Sequence, residues 1–182
     1  MTIGGTIVYG PQNNLHLVPL TLLGSILSTF VWIAIVLAIG SISKSSLIAA
    51  LGAFGIFIAL FISAPIISMF SDQARILTYV PGSGASGYII GLGAQTQFTP
   101  GMSASTGTDN IAAILINYVL HPSAEVTFFK IGGFSAPEFS WTPLYAEPLS
   151  LVLLRSIIVA ATYILVFLFI SWYAFKRAQI LE

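Results

Sequence analysis

Residues Leu17 to Ile42 read LVPLTLLGSILSTFVWIAIVLAIGSI. The stretch holds no Asp, Glu, Lys or Arg, and no such residue occurs between Met1 and Ser43. A helix rises about 1.5 Å per residue, so roughly 20 apolar residues cross the roughly 30 Å hydrocarbon core of a bilayer. The stretch is longer than that. A signal peptide would need a basic start and a shorter apolar run, and neither is present. Residues 17–42 therefore predict a membrane span.

Outward from this span the pattern repeats. A second apolar run, Ser45 to Ser71, follows the short polar connection Ser43-Lys44 and gives a helical hairpin with Lys44 at its turn. Pro65 falls late in that run and is expected to kink or end the helix, because proline lacks an N–H and clashes with the preceding turn. A third run, Leu149 to Phe175, is interrupted early by Arg155 and followed at once by Lys176-Arg177. Three crossings put the Lys44 turn and the Lys176-Arg177 tail on one side, which the positive-inside rule makes cytoplasmic. The N-terminus and the segment from Asp72 to Pro148 are then expected outside. The expected fold class is an all-α polytopic membrane protein, a single membrane domain over residues 1–182. It has three transmembrane helices and a large external insertion, 72–148, containing a short helix and short strands.

Composition points the same way. Of 182 residues, 57% are hydrophobic and 7% charged, against about 25% charged in a soluble domain. An ordinary soluble enzyme is excluded, since twelve charges cannot hydrate such a surface. Basic and acidic residues balance at six each, so no nucleic-acid partner is expected. The absence of cysteine excludes disulfides, thiolate metal sites and iron–sulfur clusters. His16 and His121 lie far apart in the sequence. Neither a metal nor another cofactor is expected.

Within the insertion, PGSGASGYIIGLGAQTQFTPGMSASTGT (81–108) is dense in turn signals and reads as irregular chain. Asp109-Asn110 and IAAILINYVL then predict a short helix before His121-Pro122, with Asp109 accepting backbone N–H bonds at its start. At roughly 18 Å it is too short to cross alone. It lies on the membrane, packs under a loop, or enters and leaves on the outer side. Glu125 to Ile131 (EVTFFKI) before Gly132-Gly133 predicts a strand and turn. Phe128, Phe129, Phe134, Phe139, Trp141 and Tyr145 suit the headgroup level. A cap folded onto the outer surface is the simplest arrangement.

Small residues at helical spacing mark the second span. Ser45, Ala49 and Ala53 follow one i, i+4 row; Gly55, Ala59 and Ser63 follow another, with Gly52 beside the first. Small residues let helix backbones approach in lipid, and packing within the chain stands level with a dimer or pathway interface. Gly24/Ser28 and Ala34/Ala38 in the first span are similar. Arg155 is the one charge inside a span; snorkelling outward or pairing with Glu147 or Glu138 is favoured over a role in a substrate path. Both aspartates, Asp72 and Asp109, fall outside the spans. Proton-driven transport and an intramembrane aspartyl site are accordingly disfavoured. No nucleophile elbow accompanies the histidines, and the glycines of 82–93 lack GxxxxGK[ST]. No catalytic residue is expected, and the chain is read as no enzyme.

At TYILVFLFISWYAFKRAQILE (162–182) the chain resembles the end of ABC exporter permeases of the second type. SISKSS followed by LIAALGAFGIFIAL is similar to that family's fourth and fifth helices around their cytoplasmic turn, and NYVLHPSAEV is similar to a stretch before its last helix. The resemblance implies the last three of six helices, in a split or truncated permease without the first three and the cytoplasmic element that docks onto the ATPase. It also implies a dimer of permeases joined to cytoplasmic ATPase subunits, working within the lipid bilayer by helix packing. The second-span residues Ser45, Ala49, Gly52, Ala53, Gly55, Ala59 and Ser63 would then form the interface or pathway wall. The alternative expectation is a non-catalytic accessory subunit of a larger respiratory or envelope complex, partnered by other membrane subunits.

Overall fold

The structure, a computed structural model, describes residues 2–3, 6–7, 15, 17–70, 74–82, 87–90, 107–120, 122–131 and 141–180. It is mostly helical, with three helices long and apolar enough to cross a membrane. Two short strands, β1 (Thr2–Ile3) and β2 (Thr6–Ile7), pair antiparallel ahead of them. The first long helix, α1 (Leu17–Ser43), and the second, α2 (Ser46–Phe70), form the expected hairpin. Pro65 does not end α2, which continues to Phe70. The third long helix is α5 (Leu149–Ile180); it runs through Lys176-Arg177 and past the expected Phe175.

The hairpin turn is tight. Lys44 adopts φ 55°, the left-handed conformation that closes α1, and its N–H donates to the Gly40 carbonyl at 2.9 Å. Ser45 then starts α2: its hydroxyl accepts the Ile48 N–H at 3.4 Å, and its carbonyl accepts the Ala49 N–H. That is the bonding expected of a serine N-cap.

Between α2 and α5 lie α3 (Ala74–Leu77), β3 (Gly87–Ile90), a 3-10 turn (Thr108–Asn110), α4 (Ile111–Leu120), β4 (Glu125–Ile131) and β5 (Trp141–Pro148). Strands β3, β4 and β5 make one antiparallel sheet with β4 in the middle and a register shift at Phe128/Phe129. The all-α class therefore needs qualifying by a three-stranded sheet. Strand β4 has the bounds expected of EVTFFKI, whereas β3 lies in the stretch expected to be irregular. Its four residues, of which Gly87 is the first, carry no readable alternation; the β4 edge supplies their hydrogen-bond ladder. Residues 91–106 of that stretch lie outside the described residues, as do His16, Asp72, His121, Phe134, Glu138 and Phe139.

Helix α1 is the hub, packed on α5, α4 and α2. The core joins Val31 and Ile35 of α1, Ile111 and Ile114 of α4, Val126 and Phe128 of β4, and Leu149, Val152 and Ala160 of α5. The Leu149 N–H donates to the Ala124 carbonyl at 3.0 Å, fastening the start of α5 to the sheet. Outside this core the long helices present leucine, isoleucine and phenylalanine side chains along their length, as helices solvated by lipid do. Exposed Trp172 and Tyr173 sit one turn before the basic pair, with the Lys176 ammonium 5.3 Å from the centre of the Trp172 ring. Such aromatic and basic residues favour the edge of a bilayer.

Helices α1 and α4 approach closely at Gly24 of α1, where an added Cβ would lie 2.5 Å from Ala112 Cα of α4. Glycine is required there by lack of room. At Gly55 of α2 an added Cβ would meet nothing within 4 Å. Gly24→Ala is expected to lower stability by about 1–3 kcal/mol, as overpacking does. Gly55→Ala is expected to be neutral or to stabilise by up to about 1 kcal/mol through helix propensity. Thermal unfolding of the two variants in one detergent checks the contrast.

Candidate functional site

The small residues of the second span divide into two sets. Ala49 and Ala53 are buried, an added Cβ at Gly52 would sit 3.2 Å from Ile39, and one at Gly40 would sit 3.4 Å from the Ala49 methyl. These positions let α2 lie close along α1. Ser45 is the N-cap described above. Gly55 and Ala59, in contrast, are exposed, and Ser63 is half-buried with its hydroxyl 3.5 Å from its own helix's Leu60 carbonyl. Only the second row is open to a neighbour.

Arg155 sits six residues into α5, about 9 Å from its start at 1.5 Å per residue. Its Nη1 donates to Glu147 Oε2 at 2.8 Å, and the Tyr79 hydroxyl lies within electrostatic reach. The Arg155 side chain is 35% exposed and Glu147 13%. Pairing across the β5–α5 junction removes an isolated cation from apolar surroundings. Glu147 is one of the two partners weighed from the sequence; Glu138 lies outside the described residues.

A second polar cluster forms on α1. Several hydroxyls in the long helices bond back to their own helix: Thr21 to the Leu17 carbonyl, Thr29 to Ser25, Ser156 to Val152 and Thr162 to Ile158. That satisfies them without another element. Ser28 is different. Its hydroxyl donates to the Thr108 carbonyl at 2.8 Å, across eighty positions of sequence. One turn on, the Trp32 indole N–H donates to Asp109 Oδ1 at 3.2 Å, and the Gly82 backbone N–H donates to Asp109 Oδ2 at 2.6 Å. Gly24, Ser28 and Trp32 form one i, i+4 row, along which α4 runs antiparallel to α1, Thr108 at Ser28 and Ala112 at Gly24.

The height of this cluster is its informative property. Trp32 precedes Ser43 by eleven residues and Phe57 follows Ser46 by eleven, so both lie roughly 17 Å from the Lys44 turn at 1.5 Å per residue. Gly82 rests on both rings: an added Cβ would lie 2.9 Å from Trp32 and 3.1 Å from Phe57. Gly107, just before the 3-10 turn, has φ 131° and packs against the Thr78 carbonyl. Both segments, 78–82 and 107–110, therefore reach the middle of the hairpin. A cap confined to one end does not describe them. Asp109 does not bond the N–H groups of its own helix as expected; it bonds α1 and the 78–82 turn.

Asp109 is nevertheless exposed. Among the described residues no Lys or Arg forms an ion pair with it. Beside it, the Trp32 and Phe57 rings meet edge to face at 5.6 Å, and Phe57 stacks on Phe61 at 6.0 Å. Asp109 lies outside the three long helices, as expected, yet it bonds Trp32 in the middle of α1; a contact between residues 32 and 109 leaves no trace in local composition. Among the described residues no group of His, Asp and Glu could hold a metal ion. No family model, curated protein or solved structure matches the chain.

Trp32→Phe keeps the ring and removes the N–H. It is expected to lower stability by about 1–3 kcal/mol, the range for a charged acceptor losing a donor, and to speed amide exchange at the start of α4. Trp172→Phe, on an exposed ring, is expected to change neither. Hydrogen exchange of the two variants reads the difference.

Proposed function

We propose that the chain is a permease-like membrane subunit, crossing the bilayer three times and forming part of a translocation pathway together with other chains. The observation that carries this reading is the open Asp109 carboxylate about halfway along α1 and α2. For helices that cross a bilayer, that height lies within the hydrocarbon core. Non-helical chain and an ionised group are stable there only against protein or a water-filled cavity. Neighbouring chains complete such a cavity.

The resemblance to exporter permeases of the second type fits this picture. Hairpin, insertion bearing a short helix and final long helix come in the order that the family's last three helices imply. In this reading ATP hydrolysis by cytoplasmic partner subunits drives the helices between two openings, and α2, with Gly55 and Ala59 free, meets the neighbouring permease. Lys44 and Lys176-Arg177 face the cytoplasm, following the positive-inside rule. The insertion lies on the other side.

Two measurements test the proposal. Because the chain has no cysteine, Lys44→Cys introduces a single thiol; a membrane-impermeant maleimide is expected to label it from the cytoplasmic face only, and labelling from outside overturns the orientation. Native purification is expected to recover an ATPase whose turnover depends on this chain. Recovery of respiratory or envelope subunits alone supports the accessory-subunit alternative.

A further inference from the structure

We infer that Asp109, with the aromatic row Trp32, Phe57 and Phe61, forms a binding site for an amphipathic organic cation: an ammonium or phosphonium centre carried on an apolar body. The inference deepens the pathway reading and rests on its premise that α1 and α2 cross a bilayer, though not on any ATPase. A carboxylate offers about four acceptor positions, and two are taken, by the Trp32 indole N–H and the Gly82 amide N–H. The carboxylate thus keeps open acceptor positions, and no Lys or Arg of the described residues pairs with it.

The surroundings select the kind of cation. Phe57 is 40% and Phe61 57% exposed, and their stacked rings extend from Trp32 along α2 away from the Lys44 turn. Aromatic faces attract a cation, most strongly one that has shed its water, and they cover apolar substituents at the same time. A small hydrated ion would forfeit its hydration shell against these rings with only one carboxylate to replace it. A lipophilic cation has little hydration to lose. The ammonium of a lipid headgroup and that of a free amphiphile share this chemistry.

The test uses the full chain in nanodiscs of phosphatidylglycerol, with tetraphenylphosphonium as probe and tetraphenylborate, its size-matched anion, as control, in equilibrium dialysis. Saturable binding of the cation over the anion is expected. Asp109→Asn, which keeps a carbonyl acceptor for one of the two donors, is expected to weaken cation binding at least about tenfold by removing the charge. Phe61→Leu leaves the Asp109 hydrogen bonds intact and is expected to weaken it about threefold. Phosphatidylcholine added to the discs distinguishes sources: competition identifies a lipid ammonium as the occupant, and its absence a free cation. Equal binding of both probe ions, no saturable binding by the wild type, or binding unchanged in both folded variants overturns the site. A wild-type dimer that binds no probe and dissociates in Asp109→Asn also overturns it, in favour of a basic side chain from a second copy. Binding retained with no ATPase recovered sinks the exporter reading alone.

Discussion

The Asp109 carboxylate holds three separate parts of the chain at one height. Its two oxygens take a hydrogen bond each from the Trp32 side chain and the Gly82 backbone, while the residue itself opens the path into α4. Backbone N–H and C=O groups have no water to turn to inside a bilayer. If the long helices cross a bilayer as proposed, the turn at 78–82 and the start of α4 need protein partners, and the carboxylate, the Ser28 hydroxyl and the Thr78 carbonyl supply contacts there. Where the turn backbone and the two rings touch, Gly82 leaves no space for a side chain, and its φ of 77° suits glycine.

Around this tie the apolar residues do two different jobs. Those of α1 turn inward to α2, α4 and α5, leaving Val31, Ala34, Ile35 and Ala38 buried. On α2, burial stops at the Ala49/Ala53 row, and most of the remaining circumference is open. Glycine and alanine thus carry different meanings at neighbouring positions. Ala49 and Gly52 touch α1, while Gly55, three residues on, touches nothing.

The long helices were legible because each is a continuous apolar run with a marked end: the Lys44 turn between the first two, and the basic pair late in α5. The short helix was legible from Asp109-Asn110 before it and Pro122 after it, and β4 from its β-branched and aromatic residues. Strand β5 was not, since Pro143 and Pro148 argue locally against a strand and are tolerated at the sheet's edge. The polar cluster was hidden for another reason. Trp32, Gly82 and Asp109 belong to three elements, and a sequence read segment by segment treats an aspartate before an apolar helix as a cap on that helix. Only the packing of Ala112 onto Gly24 reveals how far along α1 the aspartate is carried.

The hairpin's arms are held unequally. One arm, α1, is gripped by α5, α4 and α2; the other, α2, packs on α1, touches α3, β4 and the Gly82 turn, and joins its partner at a lysine in a left-handed turn. Parting α2 from α1 would leave the core of α1, α4, β4 and α5 together, whereas shifting α1 would tear it open. The two phenylalanines of the aromatic row thus belong to the one long helix that gives no side chain to the buried core cluster.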